Sequence, residues 1–491
     1  MLMDVDCIPF QETGYFSALI CDYLEEKEGL KPFYNRFPHL ENFEEQLLEK
    51  AASYHGDRAV LVEALHRQYA NSKISEATGE KIDALASKNT YTVVTGHQLN
   101  LFTGPLYFLY KIISTINLTE ELKENYPNYE FVPVYWMATE DHDFDEINYF
   151  NFKGKKVQWN KTANGAVGRL STDGLEAILE VVTAQFGNTD FALKLTTLFK
   201  EAYLGHTNLT DATRYLANAL FGNYGLVILD GDDPALKQSL VPYMHKDIFE
   251  QQAYKEVSVS INELSKLSES YKIQVNPREI NYFYLKDRFR ERILEKKGMF
   301  LINNTDIQFS REELVKEMEQ HPERFSPNVI ARPLYQEVLL PNLCYIGGGG
   351  ELAYWLELKS YFERLNVTFP MLLLRNSALV ITSKQQEKCK KLGVSETDIF
   401  LEQNTLINKK IREISNISID FSPQKKTLDK QFEALYELTM ETDKSFLGAV
   451  KAQEIKQKKG LDHLEKRLLK AQKRKLKDHV VRLTNLQNEL F

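Results

Sequence analysis

The sequence predicts an α/β fold: a doubly wound parallel sheet, interrupted by two insertions and followed by a helical coiled coil. Three observations predict it. Short apolar runs at residues 91–95, 131–138, 226–230 and 369–375 alternate with helix-like segments, the rhythm of parallel strands joined by crossover helices. These runs are unevenly spaced, so two excursions must leave the sheet. From Leu428 onward apolar residues recur at Phe432, Leu435, Leu438, Phe446 and Val450, then at Leu461, Leu464, Leu468, Val480, Leu483 and Leu490, a heptad-like seam on two long helices.

Residues 1–148 read as a helical lead-in followed by the first part of the core. Within the lead-in, Phe43, Leu47, Leu48, Leu61 and Leu65 lie at helical spacing. The first excursion, 149–220, opens with a small strand pair near 149–159 and is then helical. Residues 221–239 return one strand to the core. The second excursion, 240–330, carries strand-like stretches at 281–285 and 298–302, then Ser310 as the N-cap of a helix with Glu312 and Glu313 in its first turn. Residues 331–385 supply the rest of the core and 386–491 the coiled-coil domain. Its pattern is still running at Leu490 and Phe491, which predicts a further C-terminal tail. Residues 451–479 hold eleven Lys/Arg against four Asp/Glu, compatible with a solvated coiled-coil face, with phosphate binding or with a dimer contact.

Composition narrows the function. A chain of 491 residues with 43% hydrophobic and 26% charged residues has material for about three domains. A net charge of −8 argues against a surface that coats nucleic acid. Cys7, Cys21, Cys344 and Cys389 are scattered, so reduced thiols are expected. The N-terminus lacks the pattern of a leader peptide, and no uninterrupted apolar run reaches membrane-spanning length. A soluble cytoplasmic protein with no membrane partner is expected.

Parallel sheets bind ligands beyond the carboxyl ends of their strands, so the residues after each strand are the candidates. After the first come Gly96, His97, Gln98, Asn100, Thr103 and Gly104, where glycines permit close backbone approach and a helix start favours an anion. After the second, Glu140, Asp141, His142, Asp143, Asp145 and Glu146 crowd five carboxylates around one imidazole. Such crowding calls for a cation, a substrate amine or ribose hydroxyl, or helix capping. Asp141, His142 and Asp143 are consecutive and cannot all point one way, so no metal is assigned. His142, with Glu140 and Asp143, forms the candidate catalytic set. The third place holds Arg332 and Gln336, then Tyr345, Gly347, Gly348, Gly349, Gly350, Glu351 and Tyr354, a glycine turn suited to cradling a ligand or to tight packing. The fourth holds Arg375 and Asn376, with Ser383 and Lys384 shortly after, where Arg375 or Lys384 could neutralise a phosphate or carboxylate.

The blocks "VTGHQLNLFTGPLYFLYKI", "PVYWMATEDHDFDEIN", "HPERFSPNVIARPLYQE" and "CYIGGGGELAYW" resemble the bacillithiol biosynthesis cysteine-adding enzymes, a family of cysteine ligases, across nearly the whole chain and in the same order. The resemblance implies a Rossmann-like core related to the HIGH-motif nucleotidyltransferases and a coiled coil used for homodimerisation. It also implies addition of L-cysteine to glucosaminyl-malate, with ATP as co-substrate through a cysteinyl-adenylate and with Mg accompanying ATP. Aligned on Gly104, Phe102 and Pro105 stand where the HIGH histidines would be; His97 and Gln98 are the nearby polar substitutes, and Thr382-Ser383-Lys384 is the best match to a KMSKS loop. The scattered cysteines form no zinc cluster, so no zinc is expected. The competing reading is a non-catalytic nucleotide-binding scaffold that presents its coiled coil to a partner.

Overall fold

The computed structural model describes residues 5–442 and 445–491. It divides into two compact units: Ser17–Ser377, and a second that joins the residues up to Phe16 with Ala378–Phe491.

The larger unit is built on five parallel strands, β1 Thr90–His97, β2 Glu130–Met137, β3 Val227–Asp230, β4 Asn342–Gly347 and β5 Met371–Leu374. They lie in the order β5-β4-β1-β2-β3. The chain therefore builds outward from β1 to β3 on one side and returns to the other side of β1 for β4 and β5. The strand order reverses between β1 and β4, and the carboxyl ends at such a switch point are where open α/β sheets bind ligands. All of β1 and all but the first residue of β2 are buried, as sheets covered on both faces require. The two strands stay in register from Thr90 opposite Glu130 to His97 opposite Met137. One core cluster joins Tyr91, Val93, Phe131, Leu343 and Met371 of the sheet region to Phe43 and Leu47 of the lead-in and to Leu118 and Leu122 of the helix Tyr107–Asn125. Each such buried side chain contributes roughly 1.5–3 kcal/mol.

The first excursion carries the hairpin Tyr149–Phe152 and Lys155–Gln158, then the helices Leu175–Phe186, Asp190–Tyr203 and Leu209–Phe221. The second carries the helices Val241–Glu250, Gln252–Leu267 and Arg311–Gln320 and a five-stranded antiparallel sheet that includes Tyr282–Lys286, Phe289–Lys296 and Met299–Ile302. Sequence patterning misses Phe289–Lys296 because that strand fully buries only Ile293 and its charged residues hide the alternation. Ser310 and Glu313 form the expected capping box on the helix Arg311–Gln320.

In the smaller unit the helices Ser422–Met440 and Ser445–Lys475 run antiparallel, tied by Lys425–Asp462 at 2.6 Å and Lys458–Asp429 at 2.7 Å. The apolar seam is not uniformly covered: Leu435, Leu438, Phe446 and Leu464 remain exposed. The following helix, Lys477–Leu490, places Leu483, Leu486 and Leu490 in a cluster with Ile399, Leu406, Ile407 and Ile411.

Candidate active site at the sheet switch point

The turn after β1 is rigid and strained. Phe102, Thr103 and Gly104 all have positive φ, at 49°, 70° and 61°. Left-handed backbone costs of order 1–3 kcal/mol for a residue such as Thr, and it persists only when its surroundings enforce it. A Cβ on Gly104 would lie 2.5 Å from that of Asn100, so only glycine fits there. Buried Tyr203 accepts the Phe102 N–H at 2.7 Å, and the Phe102 ring packs against Phe150, Phe186 and Phe199. The first excursion thus clamps the turn.

The turn after β4 faces it. Gly347 ends the strand, Gly348 caps the helix Gly349–Trp355, and Gly349 and Gly350 form its first turn. A Cβ on Gly347 would sit 2.8 Å from Leu352 and 2.9 Å from the Tyr345 ring, whereas one on Gly348 would meet nothing nearer than Glu351 Oε2 at 3.5 Å. The first glycine serves packing and the second leaves open space. Glu351 is the hub: its carboxylate takes the Gly348 N–H and the Tyr345 O–H, each at 2.8 Å, and pairs with Lys111. Lys111 also donates to Gly96 O at 2.7 Å, so one ammonium ties the β1 turn to the β4 turn. Burial works to raise the Glu351 carboxyl, but Lys111, the Gly348 N–H and the Tyr345 O–H outweigh it and hold it below its ordinary range. Burial pulls the Lys111 ammonium below its ordinary value, partly offset by Glu351.

Two guanidiniums border the crevice, and neither has a carboxylate within ion-pair distance among the described residues. Arg332 donates to Gln336 Oε1 at 3.1 Å and approaches Tyr354 Oη at 3.5 Å; one of its nitrogens lies 3.7 Å from where a Gly96 Cβ would be. Arg375 stands over the Tyr107 ring and donates to Asn376 O and Ser377 Oγ, while its buried Nε has no partner among the described residues and faces the space beside Gly348. Unpaired cationic donors at such a place suit a carboxylate or phosphate.

The acidic block does not act as one cluster. The Glu140 carboxylate is held by Lys237 at 2.5 Å, and Lys237, wholly buried, also meets Asp232 at 3.1 Å. Arg169 grips Asp232 through two contacts, at 2.7 and 2.9 Å. Burial, only partly opposed by Lys237, raises the Glu140 carboxyl above its ordinary range. Asp141 accepts from Gln98 at 2.9 Å and from the His142 N–H at 2.7 Å, and these contacts together with Arg290 overcome burial to hold its pKa well below the usual carboxylate range. His142 is exposed, and its Nδ1 accepts from Arg290 at 3.0 Å. Asp143 is exposed and its side chain caps no N–H of the short helix Phe144–Ile147. Among the described residues no group of three His, Cys, Asp or Glu side chains could hold a metal ion.

Of the residues singled out by sequence, Gly96, Arg332, Gln336, Tyr345, Gly347, Gly348, Glu351, Tyr354 and Arg375 therefore form one contact network. His97, Gln98, Asn100, Thr103 and Gly104 lie on the adjoining β1 turn, and Asn376 is fixed by its N–H to Ser114 Oγ at 3.2 Å. Ser383 and Lys384 begin the helix Ser383–Leu392 of the smaller unit, capped by Thr382. Sequence reasoning missed Lys111, Lys237, Arg169 and Tyr203. A signal existed for Lys111, which stands between the buried positions Phe108 and Ile112 of an apolar helix face, where a lone ammonium needs a partner.

A parallel sheet with this strand order, and with charged, glycine-rich turns at its switch point, defines a Rossmann-like protein. Residues 3–376 match the family described as Bacillithiol biosynthesis BshC, N-terminal Rossmann-like domain, and residues 378–491 match its C-terminal coiled-coil domain. The name "Putative cysteine ligase BshC" is carried by a Flavobacterium johnsoniae protein 58% identical over 490 residues, covering 100% of this chain and 92% of that one. The same name belongs to a Christiangramia forsetii protein, 58% identical over 494 residues, with 100% and 91% covered. A Bacillus mycoides protein so named is 30% identical over 493 residues, with 96% and 89% covered. The chain belongs to the bacillithiol biosynthesis BshC family.

Proposed function

We propose that this chain joins L-cysteine to glucosaminyl-malate through an amide bond, in the cytoplasm and as a homodimer formed through its coiled coil. In this reading the cysteine carboxylate attacks the α-phosphorus of ATP and expels pyrophosphate, giving cysteinyl-adenylate. The glucosamine amine then attacks the acyl carbon, AMP leaves, and the proton lost by the amine passes to His142 Nδ1, displacing the hydrogen bond that Arg290 donates there. The single observation that supports the switch-point crevice as the reaction site is the pair of guanidiniums, Arg332 and Arg375, that border it without carboxylate partners among the described residues. They offer positive charge to a phosphate or to the malate carboxylates. The acidic side of the site, Asp141 and Glu146 around Gln98, suits the amine of cysteine. Three protein ligands for a cation are absent among the described residues, so magnesium would enter with the triphosphate, as that ion commonly does.

The test is mass spectrometry on purified protein given ATP, cysteine and glucosaminyl-malate. The expected products are the cysteinyl amide and AMP. ADP in place of AMP would replace the adenylate with an acyl phosphate, and no amide from any thiol donor would leave the chain as a nucleotide-binding scaffold.

A further inference from the structure

Two polar atoms on the β1 turn are buried and bare, and both are hydrogen-bond acceptors. His97 is 7% exposed and its Nδ1 lies 2.8 Å from Gln98 O. A carbonyl can only accept, so Nδ1 carries the proton and Nε2 presents a lone pair, which has no partner among the described residues. Asn100, also 7% exposed, donates its amide to Glu146 O at 3.1 Å, which leaves Oδ1 as its second bare acceptor. Buried acceptors left unpaired cost about 1–3 kcal/mol each, so a ligand that supplies donors gains what the empty turn forfeits. Burial, with Lys111 and Arg375, outweighs the Gln98 carbonyl and Glu351 and holds the His97 pKa down at about 3, so the imidazole is neutral and Nε2 stays an acceptor. Tyr107 stacks on the imidazole at 5.4 Å and carries the Arg375 guanidinium at 5.2 Å from its ring, which sets the anion side of the crevice one aromatic ring away.

We propose that His97 Nε2 and Asn100 Oδ1 form a hydroxyl-reading seat, so that the crevice takes a ligand carrying sugar hydroxyls on the β1 side and an anionic group on the Arg375 side. This rests on the crevice being the substrate site. Two sources share the chemistry, the ribose of a nucleotide and the hexosamine ring of the sugar conjugate.

The experiment uses full-length chain labelled with nitrogen-15 at histidine, titrated with AMP, 2′,3′-dideoxy-AMP, glucosaminyl-malate and malate. Hydrogen exchange of residues 347–355 reports in parallel whether the crevice is occupied. The Nε2 resonance of His97 should move with one hydroxyl-bearing ligand and not with its deoxygenated counterpart; the ligand that moves it names the source. His97→Phe keeps a stacking ring and removes the acceptor, and should weaken that ligand about tenfold while leaving the counterpart unchanged. If residues 347–355 become protected while Nε2 stays still with every ligand, the seat is refuted and the crevice stands. If no ligand protects residues 347–355, the crevice itself is refuted. The wild-type titration decides both, even if the variant does not fold.

Discussion

Breaking the Lys111–Glu351 pair should cost much stability singly and little more when both partners are changed. Lys111 is 5% exposed and Glu351 27%, and no water-filled shell can replace the lost partner of the lysine. Removing one member of a buried pair costs about 3–5 kcal/mol, and the partial exposure of the carboxylate puts Glu351→Gln near the lower end, about 3 kcal/mol. Lys111→Met leaves the carboxylate with the Gly348 N–H and Tyr345 O–H, so about 2–3 kcal/mol is expected. The double variant should lose about 3 kcal/mol rather than the sum, a coupling of about 2–3 kcal/mol. Urea unfolding followed by tryptophan fluorescence is a clean assay, because Trp136, Trp159 and Trp355 all lie in the larger unit. Costs that add to within about 0.5 kcal/mol would refute the pairing as the tie between the two turns.

Tyr203→Phe leaves the Phe102 N–H buried without a partner and should cost about 1–3 kcal/mol, with faster amide exchange at residues 102–104; unchanged exchange there means the turn is held by other contacts. Arg332→Gln and Arg375→Gln should each weaken an anionic substrate by roughly 10–100-fold in calorimetry with little change in unfolding midpoint, and an unaltered affinity removes that guanidinium from the site. Buried Glu357 accepts the Gln274 N–H at 2.8 Å, and burial raises its carboxyl from 4.5 to about 7. The folded state therefore binds this proton more tightly, and its contribution is present below pH 4.5 and lost as pH rises to about 7, some ~3 kcal/mol in all. Glu357→Gln should gain on the wild type by that amount across the window, and a pH-independent difference would contradict the burial effect. His142→Ala should abolish amide formation with less than about 1 kcal/mol lost, because the imidazole is exposed, whereas Lys237→Met should destabilise by about 3–5 kcal/mol.

The parallel core was legible because strands buried on both faces must read as continuous apolar runs: residues 91–95 and 131–138 fall on β1 and β2. The glycine turn was legible for a similar reason, since Gly347 packs against Leu352 and Tyr345 where no side chain fits. What could not be read was partner choice. Glu140 looked like one of five equivalent carboxylates, and only the fold brings Lys237 from ninety-odd positions away to bury it. His97, which the sequence suggested as a ligand for nucleotide, gains its bare Nε2 from a hydrogen bond of Nδ1 to its own neighbour's carbonyl, a local detail invisible to spacing. The central strand of the antiparallel sheet, Phe289–Lys296, escaped because its charged residues break any apolar alternation.

A crystal of the full chain soaked with a non-hydrolysable ATP analogue, cysteine and glucosaminyl-malate tests the central claim most directly. Ligand density between Gly96 and Gly348, with an anionic group on Arg332 or Arg375, is the predicted result. Saturating density elsewhere on the molecule, with that crevice holding only solvent, would contradict it.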